Sequence, residues 1–168
     1  AQSAIALEDK NFYNHQGFSL LGIIRSVLVD ILKGSAAQGG STLTQQFVKN
    51  ALLSQEKRIS RKIKELILSY RIEQKYNKQE ILQMYFNEIP YGSVVYGIQA
   101  AAQTYFNKDA KDLTLAEAAT LAALTNAPSL LSPWGNHKDR LIARQHYALD
   151  QMVEQKYITK GASFCFLC

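Results

Sequence analysis

The 168-residue chain has two cysteines, Cys165 and Cys168, and both fall within its last four positions. They can pair only locally, so no disulfide framework staples the fold and the redox compartment stays open. Proline and glycine are scarce, at 3 and 9 residues, which excludes low-complexity disorder and collagen-like repeats. No run of about 18 uncharged apolar residues exists, so no transmembrane helix is encoded. The opening AQSAIALEDK lacks the basic-then-apolar order of a signal peptide. His15, His137 and His146 are too scattered to suggest a metal cage. No RNP, zinc-finger or basic-aromatic pattern is found, which argues against nucleic acid as a partner.

What remains is ordinary globular material, 47% hydrophobic and 20% charged, long enough to bury a real core. Its formal charge of +5 is unevenly placed. Between Lys49 and Lys75 stand eight Lys/Arg (49, 57, 58, 61, 62, 64, 71, 75) against Glu56, Glu65 and Glu73, while the rest of the chain is balanced. One stretch carries all the excess. Such a field attracts phosphate in nucleic acid, lipid head groups or a pyrophosphate; a solvated helix face is the plainer reading of a basic run by itself.

Most of the chain reads helical. Phe18 to Lys33 is densely apolar, broken by Arg25 and Asp30, with Gly34 as a stop. Thr42 with Gln45, and Thr114 with Glu117, fit capping boxes; Asn77 with Glu80 caps another helix. The Thr42 helix is expected to run through about Leu53, the Asn77 helix through about Asn87, and the Thr114 helix to end before Pro128. Arg58 to Tyr76 places Ile59, Ile63, Leu66, Ile67 and Tyr70 at helical steps. A small-residue helix is expected over Ser93 to Phe106 after the Pro90-Tyr91-Gly92 turn, and a last one from Asn136 or His137 to about Lys156. With no repeat and no dividing linker, the chain reads as one all-α domain over 1–160, followed by a tail of unknown role over 161–168.

Three local patterns could carry chemistry. Glu8-Asp9 precedes Phe12 and His15, an E-D-x-x-F-x-x-H order. Gly39-Gly40-Ser41-Thr42 runs into Thr44-Gln45-Gln46, with Lys49 one turn on; free N–H groups, hydroxyls and a lysine can hold a diphosphate. It is no Walker A loop, since the G-K-[ST] ending is absent. Within the basic helix, Arg61 and Lys62 lie four and three residues before Glu65 and share its face. Taken singly, each has a dull reading as a solvated acidic pair, a loop-to-helix junction or a surface salt bridge. Ser54-Gln55-Glu56-Lys57 matches S-x-x-K, but no S-D-N or K-T-G follows, so it is accidental.

In combination these residues resemble the peptidoglycan glycosyltransferase domain of class A penicillin-binding proteins and monofunctional transglycosylases. The likeness runs from about Ala4 to Thr159 through five ordered motifs. They are Glu8 through Gly17, Gly39 through Gln46, Arg61 through Glu65, Ile81 through Tyr91-Gly92 to Phe106, and Glu117-Ala118-Ala119 with Leu121 and Ala127-Pro128-Ser129. Ser19 stands where the family often has Asp, and Thr125-Asn126 where Pro-Gln is common. The membrane helix that precedes the first motif in the family, and any transpeptidase domain beyond Thr159, are not in this sequence, which therefore reads as a fragment or a chain cut short.

The resemblance implies a lysozyme-like helical lobe with a smaller, mobile, apolar lobe leaning on the membrane. Phe18 to Lys33 suits that smaller lobe, and an ordinary buried helix suits it equally. The implied activity joins lipid II units into glycan strands with inversion and loss of polyprenyl pyrophosphate, at the outer face of the bacterial cytoplasmic membrane. Glu8 is then the base, helped by the apolar residues around it (Ala4, Ile5, Ala6, Leu7, Phe12). Glu65 is the second catalytic residue, orienting the cationic cluster or a bound divalent ion rather than attacking directly. Asp9, Phe12, His15, Ser41, Thr42, Gln45, Gln46, Lys49, Asn50, Arg61 and Lys62 are expected to bind substrate. No cofactor is required, and a divalent cation, Mg or Mn, at the pyrophosphate is left open. Expected partners are lipid II, the nascent glycan strand, the membrane surface and wall-synthesis proteins, with no nucleic acid; moenomycin is the expected inhibitor. A lysozyme-like hydrolase would need a protonated acid beside the leaving oxygen, and a carboxyl set among Arg61, Lys62 and Lys64 is badly placed to be one. The third alternative is a catalytically dead module that only binds lipid II.

Overall fold

The computed structural model describes residues 1–19, 40–53 and 58–160. Among these the structure is helical, in keeping with the all-α expectation, and the one β-type pairing is an isolated bridge between Pro90 and Tyr96. Seven α-helices are described: α1 (Gln2–Glu8), α2 (Leu43–Ala51), α3 (Arg58–Lys75), α4 (Lys78–Glu88), α5 (Ile98–Phe106), α6 (Leu115–Leu124) and α7 (Lys138–Glu154). No described helix is long and apolar enough to cross a membrane. The apolar lobe expected at Phe18 to Lys33 falls, from residue 20 onward, outside the described residues.

The chain forms two compact units, Ala1–Lys10 with Phe86–Cys168, and Asn11–Tyr85. In the first, α1 and α6 both pack on α7. Alanine makes this close approach feasible: Ala4, Ala6, Ala119, Ala122, Ala123 and Ala148 are buried, with Ile5, Leu121, Leu124, Leu149 and Met152 filling the space between. Each of those larger side chains contributes about 1.5–3 kcal/mol by leaving water. Hydrogen bonds pin the same helices: Gln155 donates to the Ala6 carbonyl at 2.9 Å, and Gln145 donates to the Ala116 carbonyl and the Thr120 hydroxyl.

The helix expected from Ser93 begins later, at Ile98. The preceding residues fold back instead, with Tyr91 N–H on the Val95 carbonyl and Gly97 N–H on the Ile89 carbonyl. Gly97 makes the return with φ +80°, and a Cβ there would lie 2.7 Å from the Asn87 carbonyl oxygen. Only glycine fits such a backbone without strain. Tyr105 then fixes the turn by donating its hydroxyl to the Tyr91 carbonyl at 2.7 Å, and burial raises the pKa of this phenol, keeping it a donor.

In the second unit Phe12, Leu43, Phe47, Val48, Ile81, Leu82 and Tyr85 form the buried apolar set. The Thr42 capping box is complete: the Thr42 hydroxyl accepts from Gln45 N–H, and Gln45 Oε1 accepts from Thr42 N–H. On α3 the expected amphipathic pattern is turned around. Ile63, Ile67 and Tyr70 are about half exposed, whereas Glu65 and Ser69 are buried. The inward polar stripe is engaged: Glu65 by Arg61 and Lys62, Glu73 by Lys78 and Thr44, and Gly17 packs so closely on it that a Cβ would lie 2.7 Å from the Ser69 carbonyl oxygen.

The third capping box also forms, with Thr114 accepting from Glu117 N–H and Glu117 accepting from Thr114 N–H. Burial works to raise the Glu117 pKa, but hydrogen bonds from Lys108, then from the Thr114 amide and hydroxyl, and the Lys108 charge together leave it lowered. A lowered carboxylate supplies stability above its unfolded pKa and loses it as pH falls through the folded one. Glu117→Ala is expected to lower Tm at neutral pH by about 2–4 °C, as for a cap worth about 1 kcal/mol. Followed by thermal unfolding, that deficit should shrink as pH is taken towards about 3; a deficit independent of pH would refute the assignment.

Candidate active site

In the first unit, α1 ends at Glu8, and Arg144 on α7 meets it from a position 136 residues away in sequence. Arg144 Nη2 donates to Glu8 Oε1 at 2.5 Å, forming an ion pair in which the Glu8 side chain is 10% exposed. Asp9, directly after the helix, is buried. Ala4, Ile5 and Ala6, which precede Glu8 on α1, are buried. The guanidinium was not foreseen: Arg144 lies beyond all five motifs, and nothing local distinguishes it from the other charges of α7.

The second unit holds the remaining site residues. Lys62 Nζ bridges Ser41 Oγ and Glu65 Oε2, each at 2.9 Å, and Arg61 Nε faces Glu65 Oε1 at 3.5 Å. The R-K-x-x-E spacing thus produces the shared face that helical geometry requires. Glu65 is 5% exposed while Lys62 remains 46% exposed, so one carboxylate anchors two cations and leaves the lysine open to solvent. Lys49 and Asn50 are exposed on α2. Both Glu65 oxygens face cations. Among the described residues no three His, Cys, Asp or Glu gather as a metal site. The cluster has the character of an anion receptor.

Other members of the expected binding set are engaged inside the protein. Phe12 is fully buried, with Lys78 Nζ 4.5 Å from its ring centroid. His15 Nδ1 accepts from Gly17 N–H at 3.1 Å, and the His15 carbonyl accepts from Lys78 at 2.6 Å. The Thr42 hydroxyl donates to the Gly17 carbonyl at 2.7 Å. Gln45 is buried in its capping box, and Gln46 accepts from the Tyr85 hydroxyl at 3.2 Å. These residues build the loop; Lys49, Asn50 and Lys62 are exposed, and Ser41 and Arg61, like His15 and Gln46, are partly open to solvent.

The loop depends on a pair that sequence reasoning missed. Glu73 on α3, 4% exposed, is met by Lys78 on α4 at 2.6 Å and by the Thr44 hydroxyl, also at 2.6 Å. Lys78 therefore ties α3, the His15 carbonyl and the Phe12 ring into one knot. Its position just inside the Asn77 cap was legible, but its partners were not.

These features, an all-helical chain carrying the five motifs and a carboxylate-anchored cationic cluster, have a match among known proteins. The profile of the transglycosylase family covers residues 1–153, and the chain belongs to that family. Among individual proteins, it is 50% identical over 165 residues to penicillin-binding protein 1A of Rickettsia felis, covering 96% of this chain and 21% of that protein. Penicillin-binding protein 1A of Neisseria lactamica is 50% identical over 157 residues, covering 94% of this chain and 20% of the relative. The crystal structure of penicillin-binding protein 1A from Haemophilus influenzae aligns with TM-score 0.51 at 34% identity, over 74% of this chain and 15% of that one. The chain thus spans about a fifth of the length of the curated relatives it matches.

Breaking the buried pair on one side only leaves an uncompensated charge. Lys78→Met is expected to lower the unfolding free energy by about 3 kcal/mol, the lower end for a buried pair because Lys78 keeps some contact with water. Removing both charges with Glu73→Gln/Lys78→Met should cost less than the single change. Denaturant midpoints measure both; a single variant no weaker than the double would refute the role assigned to the pair.

Proposed function

We propose that this domain is a peptidoglycan glycosyltransferase that polymerises lipid II into glycan strands at the extracytoplasmic face of the bacterial membrane. The observation that carries the reading is the anion receptor at Arg61, Lys62 and Glu65, held in a chain of the transglycosylase family that also carries a low-exposure carboxylate at Glu8. A sugar hydroxyl attacks the anomeric carbon and gives its proton to Glu8, while the bond to the pyrophosphate breaks and that group leaves with the electron pair. A diphosphate is already a good leaving group, so it calls for positive charge rather than for a strong general acid. Lys49, Arg61 and Lys62 supply the charge. Ser41 and Asn50 add hydrogen bonds, and Glu65 keeps the cations oriented. Asp9, Phe12, His15, Thr42, Gln45 and Gln46 shape the loops that present these groups. The nascent strand and the membrane surface are the partners this reading requires, and moenomycin is its expected inhibitor.

Incubation with labelled lipid II followed by product separation tests the reading. Polymer ladders support transfer; shortened glycan would mean hydrolysis, and retention without turnover would mean a binding module. Glu8→Gln is expected to reduce polymerisation by at least about 100-fold, the usual scale for losing a general base, with the fold intact. Substantial chain growth by that variant would overturn the base assignment. Glu65→Gln, which frees Arg61 and Lys62 from their anchor, should lose activity on the order of 100-fold as the cations drift from place. Near-normal turnover would remove Glu65 from the machinery.

A further inference from the structure

We propose that Arg144 is the positioning residue for Glu8, an inference that rests on the reading of Glu8 as the base. On α7 the core-facing positions are Leu141, Ala148, Leu149 and Met152, all buried. Arg144 stands three residues after Leu141 and four before Ala148, so it occupies a place in that inward stripe where an aliphatic side chain would be expected. Its guanidinium carries no compensating set of bonds: Nη2 goes to Glu8 and Nε is buried without a partner. The pair is only partly buried, with the Arg144 side chain 27% exposed; such a pair contributes little net stability, and an unsatisfied buried donor beside it detracts further. Stability is therefore a poor reason for an arginine here.

Geometry supplies a better one. Glu8 is the last residue of α1, at the point where the regular helix ends. Arg144 braces it from a second helix, and that helix is itself tied down at the next residue and again at its C-terminal end. Gln145 is bonded to α6 through the Ala116 carbonyl and Thr120, and Gln155 is bonded to α1 through the Ala6 carbonyl. The carboxylate is thus held by a rigid three-helix frame rather than by its own rotamer preferences, the condition under which a base can be kept within the narrow range that proton transfer tolerates. Lysine could supply the charge but not the planar fork.

The test compares steady-state lipid II polymerisation by Arg144→Ala, Arg144→Met, Arg144→Lys, Glu8→Gln and the double variant Glu8→Gln/Arg144→Ala in the full-length chain, with Tm measured alongside. Arg144→Ala is expected to lower kcat about 10–100-fold with KM for lipid II changed less than about threefold, the signature of a misplaced catalytic group. Added guanidinium should restore at least about tenfold of that loss, and urea at the same concentration should not, because it lacks the charge. Arg144→Lys should fall between wild type and Arg144→Ala, and the double variant should be no worse than Glu8→Gln, since both changes strike one unit. Arg144→Met retains side-chain volume and replaces the alanine variant if that one fails to fold. Loss of activity that follows Tm, or that guanidinium cannot restore, would overturn the positioning role, as would an unchanged kcat. An active Glu8→Gln would instead sink the base assignment itself, so the two failures are told apart.

Discussion

A carboxylate withdrawn from water has to be met by a cation, and three of them in this chain are met that way. Glu8 is paired with Arg144, Glu65 with Lys62 and Arg61, and Glu73 with Lys78. Each pair joins two segments or two turns of helix whose relative placement the site depends on. Apolar packing closes the helices against one another, but it is tolerant of small shifts; a short, charge-assisted contact is not. The ionic contacts therefore set the precision that the alanine-rich and leucine-rich interfaces cannot.

This division of labour changes how the motif residues are understood. Glu73 and Lys78 bear on chemistry only through the loop they hold: Lys78 grips the His15 carbonyl and lies over Phe12, and Thr42 closes on Gly17. Lys62 and Ser41, bonded to each other and open to solvent, are the groups an incoming anion would meet. A motif continuous in sequence can thus be split in purpose, part of it scaffold and part of it open to an incoming group.

What was legible in the sequence was local. The boxes at Thr42/Gln45 and Thr114/Glu117 declare themselves because both partners lie three residues apart, and the Arg61/Lys62/Glu65 face follows from helical periodicity. The start of α5 was misjudged because Ser93 to Tyr96 are held by backbone pairing around Gly97, a left-handed position that composition does not reveal. The orientation of α3 was hidden for a similar reason: its isoleucines mark a plausible buried face, while the partners of its polar face, Lys78, Thr44 and Gly17, are set by tertiary packing. Arg144 and Lys78 escaped because their partners are set by tertiary packing, which no spacing rule encodes. The family resemblance supplied the candidate base; the residue that holds it came from the structure.

The central claim is a single displacement in which Glu8 removes the proton and no covalent sugar–enzyme intermediate forms. The anomeric configuration of the newly made linkage, determined by NMR on polymer formed from lipid II of known configuration, tests it most directly. Single displacement predicts that the configuration at the reacting carbon is inverted at every linkage. Retention would require a second displacement, with a side chain bonded to the sugar between the two steps, and would contradict the account.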